Sequence, residues 1–191
     1  MRTWLGILLF VATASACGSS AHKDGHTGTS TGTSTSTSTS TSTAVQWKTS
    51  DGGNGHWYLI DRTKTDWVSA EARAETAHGN LATITSEGEE QFIIKTFLTG
   101  DDTLKVFWIG CSDAAQEDTF VWVTGEPFDY TNWKSGEPNG WDGDTEDYCC
   151  INWNAVRGPI GEWNDALPDG TRGYDSGAND GPYASIFEFD Q

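Results

Sequence analysis

The sequence predicts an α+β domain, with two helices packed on short antiparallel sheets and one long ordered loop. Three observations predict it. Two helical patterns with their own start signals come first, and short apolar strand runs follow them. Residues 125–147 then change composition to Gly, Pro, Asp, Asn and Trp.

Residues 56–60 read as a first strand, His-Trp-Tyr-Leu-Ile. Thr65 or Asp66 caps a helix that starts at Trp67, places Ala70, Ala74 and Ala77 on one face, and stops at Gly79. Residues 81–84 form a short apolar link. Ser86 and Glu89 have the spacing of a capping box, opening a second helix that presents Phe92, Ile93, Phe97 and Leu98. Residues 106–110 and 120–123 read as strands, and strands resume at 148–152, around 161–163, and at 184–189. The loop between segments 120–123 and 148–152 is longer than a simple connection needs, which points to a functional role.

At 191 residues the chain allows one ordinary domain and an appendage. Its 28 acidic and 11 basic residues give a net charge of −17, which repels nucleic-acid phosphates and anionic lipid headgroups. That surface suits divalent cations and neutral ligands such as sugars. Ten tryptophans indicate a packed, aromatic core.

Residues 1–16 read as an export signal, with Arg2 ahead of an apolar run too short to span a bilayer. Ala14-Ser15-Ala16 fits the small-residue cleavage pattern and Cys17 follows at once, an arrangement that resembles a bacterial lipoprotein signal with Cys17 lipidated. Ala14 departs from that pattern, and the alternative is plain secretion. Either way the chain is expected outside the cytoplasm, as an outer-membrane or cell-surface lipoprotein or a secreted protein. Residues 17–44 then form a Ser/Thr-rich tether with no apolar surface to bury, and the domain proper is expected over 45–191. Beyond Cys17, three cysteines remain. Cys149 and Cys150 are adjacent in a strand and point to opposite faces, so only one of them can face Cys111; the sequence leaves open which.

Glu137-Pro138-Asn139, Glu146 and Trp163-Asn164-Asp165 together supply five hard oxygen ligands. Calcium takes about six to eight such oxygens and tolerates irregular geometry. The absence of thiolate and imidazole from the set disfavours zinc and softer metals. An X-Pro bond adopts cis at modest cost, which would fold Glu137 and Asn139 toward one point. A solvated acidic loop is the bland alternative.

In this order, the two-helix opening, Trp108-Ile109-Gly110, Glu137-Pro138-Asn139, Glu146-Asp147, Trp163-Asn164-Asp165 and Phe187-Glu188-Phe189 resemble a C-type lectin-like domain over residues 54–190. The resemblance implies a principal calcium site at Glu137, Asn139, Glu146, Asn164 and Asp165, with Asp165 binding through its side chain and its backbone carbonyl. It implies an auxiliary site at Asp113, Glu117, Glu146 and Asp147, for which solvated acids are the alternative. The Glu-Pro-Asn form resembles lectins that prefer mannose, fucose or N-acetylglucosamine, with Glu137, Asn139, Glu146 and Asn164 contacting both ion and sugar. Trp141 resembles the sugar-stacking tryptophan of galactose-type members, or else anchors the loop. The chain departs from the family in its cysteines: Ala74 stands near the place of the first-helix cysteine, and Ile186 and Phe187 occupy the strand of its partner. The segment 168–183 is longer than usual, either another ion loop or an insertion.

No catalytic constellation competes with binding. His22 and His26 lie in the tether region, His78 sits at a helix end and His56 opens a strand; no nucleophile–base pair accompanies them. The expected role is therefore a calcium-dependent, glycan-binding adhesin or capture module rather than an enzyme. A lectin-like domain that binds protein, with calcium only structural, is the alternative.

Overall fold

In a computed structural model, residues 43–140, 145–153, 155–170 and 181–190 are described. The export signal, Cys17, most of the tether and Trp141 lie outside these residues. Chain order is β1 (Val45–Gln46), β2 (Trp57–Thr65), α1 (Trp67–Thr76), β3 (Asn80–Leu81), α2 (Glu87–Phe97), β4 (Phe107–Ser112), β5 (Val121–Trp122), β6 (Tyr148–Ile151), β7 (Trp163–Ala166) and β8 (Tyr183–Phe189). Among the described residues the strands join in the order β1-β2-β8-β4-β6-β7, with β3 on β8 and β5 on β4. Every pairing is antiparallel except β4 with β8. The α+β class is as the sequence predicts.

Both helices start where the sequence places their signals. Asp66, not Thr65, caps α1, its Oδ1 accepting from Ser69 N at 2.8 Å. Ser86 Oγ accepts from Glu89 N at 3.2 Å, so the forward half of the expected capping box forms. The return half does not. Glu89 instead turns inward, where its Oε2 accepts from Thr85 N and its Oε1 from the Tyr58 hydroxyl. β2 runs past the expected end because its polar residues 61–65 continue to pair with β8 across a register shift. Pairing partners override the loss of alternation there.

The strands separate two buried clusters. Phe107, Ile109 and Cys111 of β4 face one with Ile93 and Phe97 of α2. Trp108, between them in sequence, faces the other with Trp67, Ala70 and Ala74 of α1. Two indole N–H groups cross-tie these layers: Trp67 Nε1 donates to Ile109 O and Trp108 Nε1 to Thr65 O, each at 2.8 Å. Cys149 lies in the first cluster and Cys150 in the second, the opposite-face arrangement that adjacent strand residues require. The bridge is Cys111–Cys149, with a Cα–Cα distance of 5.2 Å. Ala74 and Phe187 lie together in the second cluster.

Between β2, α2 and β8 lies a buried polar group. Glu89 is 1% and Glu188 4% exposed. His56 Nδ1 lies 2.6 Å from Glu188 Oε1, Thr83 N donates to Glu188 Oε2 at 2.8 Å, and Tyr58 links both carboxylates. His56 is thus a packing residue. Burial pushes Glu188 up to about 7; Glu89 adds to this, and the bonds from His56 and Thr83 oppose it. Because the folded value lies above the ordinary 4.5, the native state holds the extra proton between about pH 4.5 and 7. This stabilisation is full below that window and is lost as pH rises through about 7. His56 is also shifted up: burial opposes the shift and Glu188 drives it, so its contribution has the same sign. Asp102 is held low by the Arg62 guanidinium and titrates below the window. Without added calcium, thermal unfolding should therefore occur at a lower temperature at pH 8 than at pH 5, and Glu188→Gln should reduce that difference, leaving the part due to Glu90, which is also lifted to about 7.

Candidate functional site

The site is built where the loop after β5 folds back on β7. Phe120, Phe128 and Trp133 cluster edge and face around Trp122 and Trp163, giving this loop segment an aromatic floor. Backbone bonds lock it down: Trp163 N donates to Asn132 O and Lys134 N to Trp163 O, each at 2.9 Å. Below them Glu90 of α2, 1% exposed, accepts from Trp163 Nε1 at 3.0 Å and Asn132 Nδ2 at 3.1 Å. Burial lifts Glu90 to about 7, opposed by those two donors. Gly161 passes directly over α2 with φ +95°, and a Cβ there would come within 2.4 Å of Ile94 Cδ1.

From this support the chain turns into the predicted tripeptide. Glu137 N donates to Lys134 O at 2.9 Å, and the Glu137–Pro138 bond is cis. Glu137 Oε2 accepts from Asn139 Nδ2, and its Oε1 lies 3.2 Å from Lys134 Nζ. Asn139 N and Gly140 N both donate to Asp165 Oδ2 at 2.8 Å. Asn164 and Asp165, on β7, are 2% and 1% exposed, and Asn164 Nδ2 donates to the Asp165 carbonyl. Four of the five expected principal ligands are thus gathered: Glu137, Asn139, Asn164 and Asp165. Glu146 stands half-buried two residues before β6.

Asn164 Oδ1 and Asp165 Oδ1 are buried without a hydrogen-bond partner. Orphaned acceptors at this depth are costly, and a cation is their natural complement because it presents no lone pairs of its own. The donor set is hard oxygen throughout, which fits calcium. Among the described residues no group of three or more His, Cys, Asp or Glu side chains is placed to hold a metal. The converging set is two carboxylates and two amides, which suits calcium and offers zinc neither thiolate nor imidazole.

The expected auxiliary ligands lie in the segments just after β4 and just before β6. Asp113 follows β4; its N donates to Asp147 O at 3.1 Å and its Oδ2 accepts from Asp118 N at 3.0 Å. Its Oδ1 is buried without a partner, and burial, with Asp147 and Asp165 nearby, raises its carboxyl above the usual range. Glu117 is exposed and Asp147 half-buried. The sequence reading missed Glu90, Asn132 and Lys134. The signals present were the three-residue spacing of Lys134 to Glu137 and a glutamate just inside a helix start.

A family model described as Lectin C-type domain matches residues 63–170, more than half of the chain. The chain belongs to the C-type lectin domain family. Ladderlectin of Oncorhynchus mykiss is 34% identical over 108 residues, covering 56% of this chain and 54% of its own. The chain thus spans about half the length of that relative. The cow C-type carbohydrate-recognition domain of CD23, solved in the presence of GlcNAc2Man3 oligosaccharide, is 26% identical with TM-score 0.54, over 70% of this chain and 86% of that one. A calcium-independent type II antifreeze protein shares the fold at 24% identity and TM-score 0.54, over 71% and 87% of the two chains. The likeness of this C-type lectin domain to that protein is one of fold.

Removing Glu90 tests the support beneath this C-type lectin site. Glu90→Leu strands the Trp163 and Asn132 donors, so denaturant unfolding should show a loss of about 2–4 kcal/mol. Glu90→Gln, which keeps one acceptor oxygen, should fall between Glu90→Leu and the parent.

Proposed function

We propose that this domain binds carbohydrate in a calcium-dependent manner, through Glu137, Asn139, Glu146, Asn164 and Asp165. The observation that supports it most is the pair of buried, partnerless oxygens on Asn164 and Asp165, beside a Glu137 and Asn139 already turned toward each other. Bound there, calcium would supply open coordination positions for two neighbouring sugar hydroxyls. The side chains do the rest. Carboxylate oxygens of Glu137 and Glu146 only accept, while the Asn139 and Asn164 amide nitrogens only donate, so their order selects one hydroxyl geometry. That order, Glu-Pro-Asn, favours mannose, fucose or N-acetylglucosamine-type glycans. Trp141 adds a stacking surface or a loop anchor. Asp113, Glu117 and Asp147 form the auxiliary calcium site, for which the partnerless Asp113 Oδ1 speaks.

Single-site affinity of about millimolar is expected, so useful retention comes from many copies on a surface. Export by residues 1–16, lipidation of Cys17 and a tether to residue 44 would provide that display, as a bacterial surface lipoprotein acting in adhesion or glycan capture. The arrangement proposed is of binding, not catalysis.

The purified domain should be retained on mannose resin in calcium and eluted by a chelator. Glu137→Gln should weaken calcium binding by at least about tenfold, as expected when ligand charge is removed, and should abolish retention. Retention that survives chelation would refute the calcium-dependent reading. Calcium-dependent stabilisation with no hit on a glycan array would instead select a protein-binding domain.

A further inference from the structure

Lys134 stands inside the site without being one of its oxygen ligands. Its Nζ lies 3.2 Å from Glu137 Oε1 and 4.9 Å from the centroid of the Trp153 ring. Its backbone is fixed on both sides, since its N donates to Trp163 O and its O accepts from Glu137 N. The ammonium is therefore not a swinging surface charge: its stem and head are directed by a ring and a carboxylate. Glu137 is the more enclosed of the pair, its side chain 6% exposed against 26% for Lys134. Its second oxygen already accepts from Asn139 Nδ2. In a chain with 28 acidic and 11 basic residues, a cation held at the proposed ligand set is a departure from the general charge pattern.

We propose that Lys134 is a tethered counter-cation that competes with calcium for Glu137 and thereby sets the calcium affinity of the site. This rests on the calcium reading above. In the ligand-free protein the ammonium neutralises Glu137 and relieves its repulsion from Asp165, whose Oδ2 is held by the next two backbone N–H groups. When a divalent ion takes the same carboxylate, the ammonium becomes a like charge at short range and must yield its contact or share it. Both effects act in one direction: Lys134 stabilises the ligand-free state and weakens the loaded one. The site is then reversible by construction, tuned to release calcium more readily than its oxygen set alone would.

Direct calcium titration by calorimetry, at low and high salt, on the parent and three variants tests this. Lys134→Met keeps an apolar stem against Trp153 and removes the charge; it should bind calcium about three- to tenfold more tightly at low salt, with the gain shrinking at high salt. The same variant should melt at a lower temperature than the parent in chelator. Lys134→Arg should behave as the parent. Lys64→Met, which removes the same charge from an exposed position on β2, should leave the constant within about twofold, because separated surface charges are screened. An unchanged or weaker constant for Lys134→Met overturns the proposal, as does an equal gain for Lys64→Met. No calcium uptake by the parent overturns the calcium reading and this proposal together, whereas normal uptake with equal constants overturns this proposal alone.

Discussion

The buried Glu90 carboxylate is the joint on which the site depends. One of its oxygens holds the Trp163 indole and the other the Asn132 amide, so a single α2 residue fixes both the strand carrying Asn164 and Asp165 and the loop leading to Glu137. Without such a joint, the loop after β5 would keep only its aromatic packing and its two backbone bonds to β7 against the entropy cost of a fixed ligand geometry. The aromatic floor of Trp122, Phe128, Trp133 and Trp163 excludes water from this contact. That exclusion makes the hydrogen bonds strong and also raises the carboxyl toward neutrality.

Electrostatic strain is a recurring feature of the domain rather than a property of one residue. Glu89, Glu90, Glu188 and Asp113 are all buried, and burial is the main influence lifting each of them. Three of these have donors on both sides and serve as internal fasteners between helix and sheet. Asp113 does not: its Oδ1 is buried without a hydrogen-bond partner. The distinction depends on hydrogen-bond partners: a buried carboxylate with donors on both oxygens is held by the fold, and one with an orphaned oxygen is held by one oxygen alone.

Much of this was legible in the sequence. The helix starts followed from Asp66 and Ser86, and β4 from an unbroken apolar run flanked by polar residues. Glu137, Asn139, Asn164 and Asp165 were singled out by motif and lie together. The choice between Cys149 and Cys150 was not legible, because both faces of β6 are buried and neither carries a polar marker. Glu89, Glu90 and Glu188 were not legible as core residues, since a charged side chain reads as surface until distant partners such as Tyr58, 31 residues from Glu89 and 130 from Glu188, are known. Lys134 was hidden for a related reason: its neighbour Trp153 arrives from a different loop.

The Cys111–Cys149 bridge has a consequence for where the domain matures. Cys149 sits opposite Asp165 in the β6–β7 register, and Cys111 lies two residues before Asp113. The covalent tie therefore joins the strand that faces one proposed ligand to the strand that presents the other. Thiols stay reduced in the cytosol and oxidise outside it. If the chain is exported as proposed, this tie between the two strands would close only once it reaches an oxidising space.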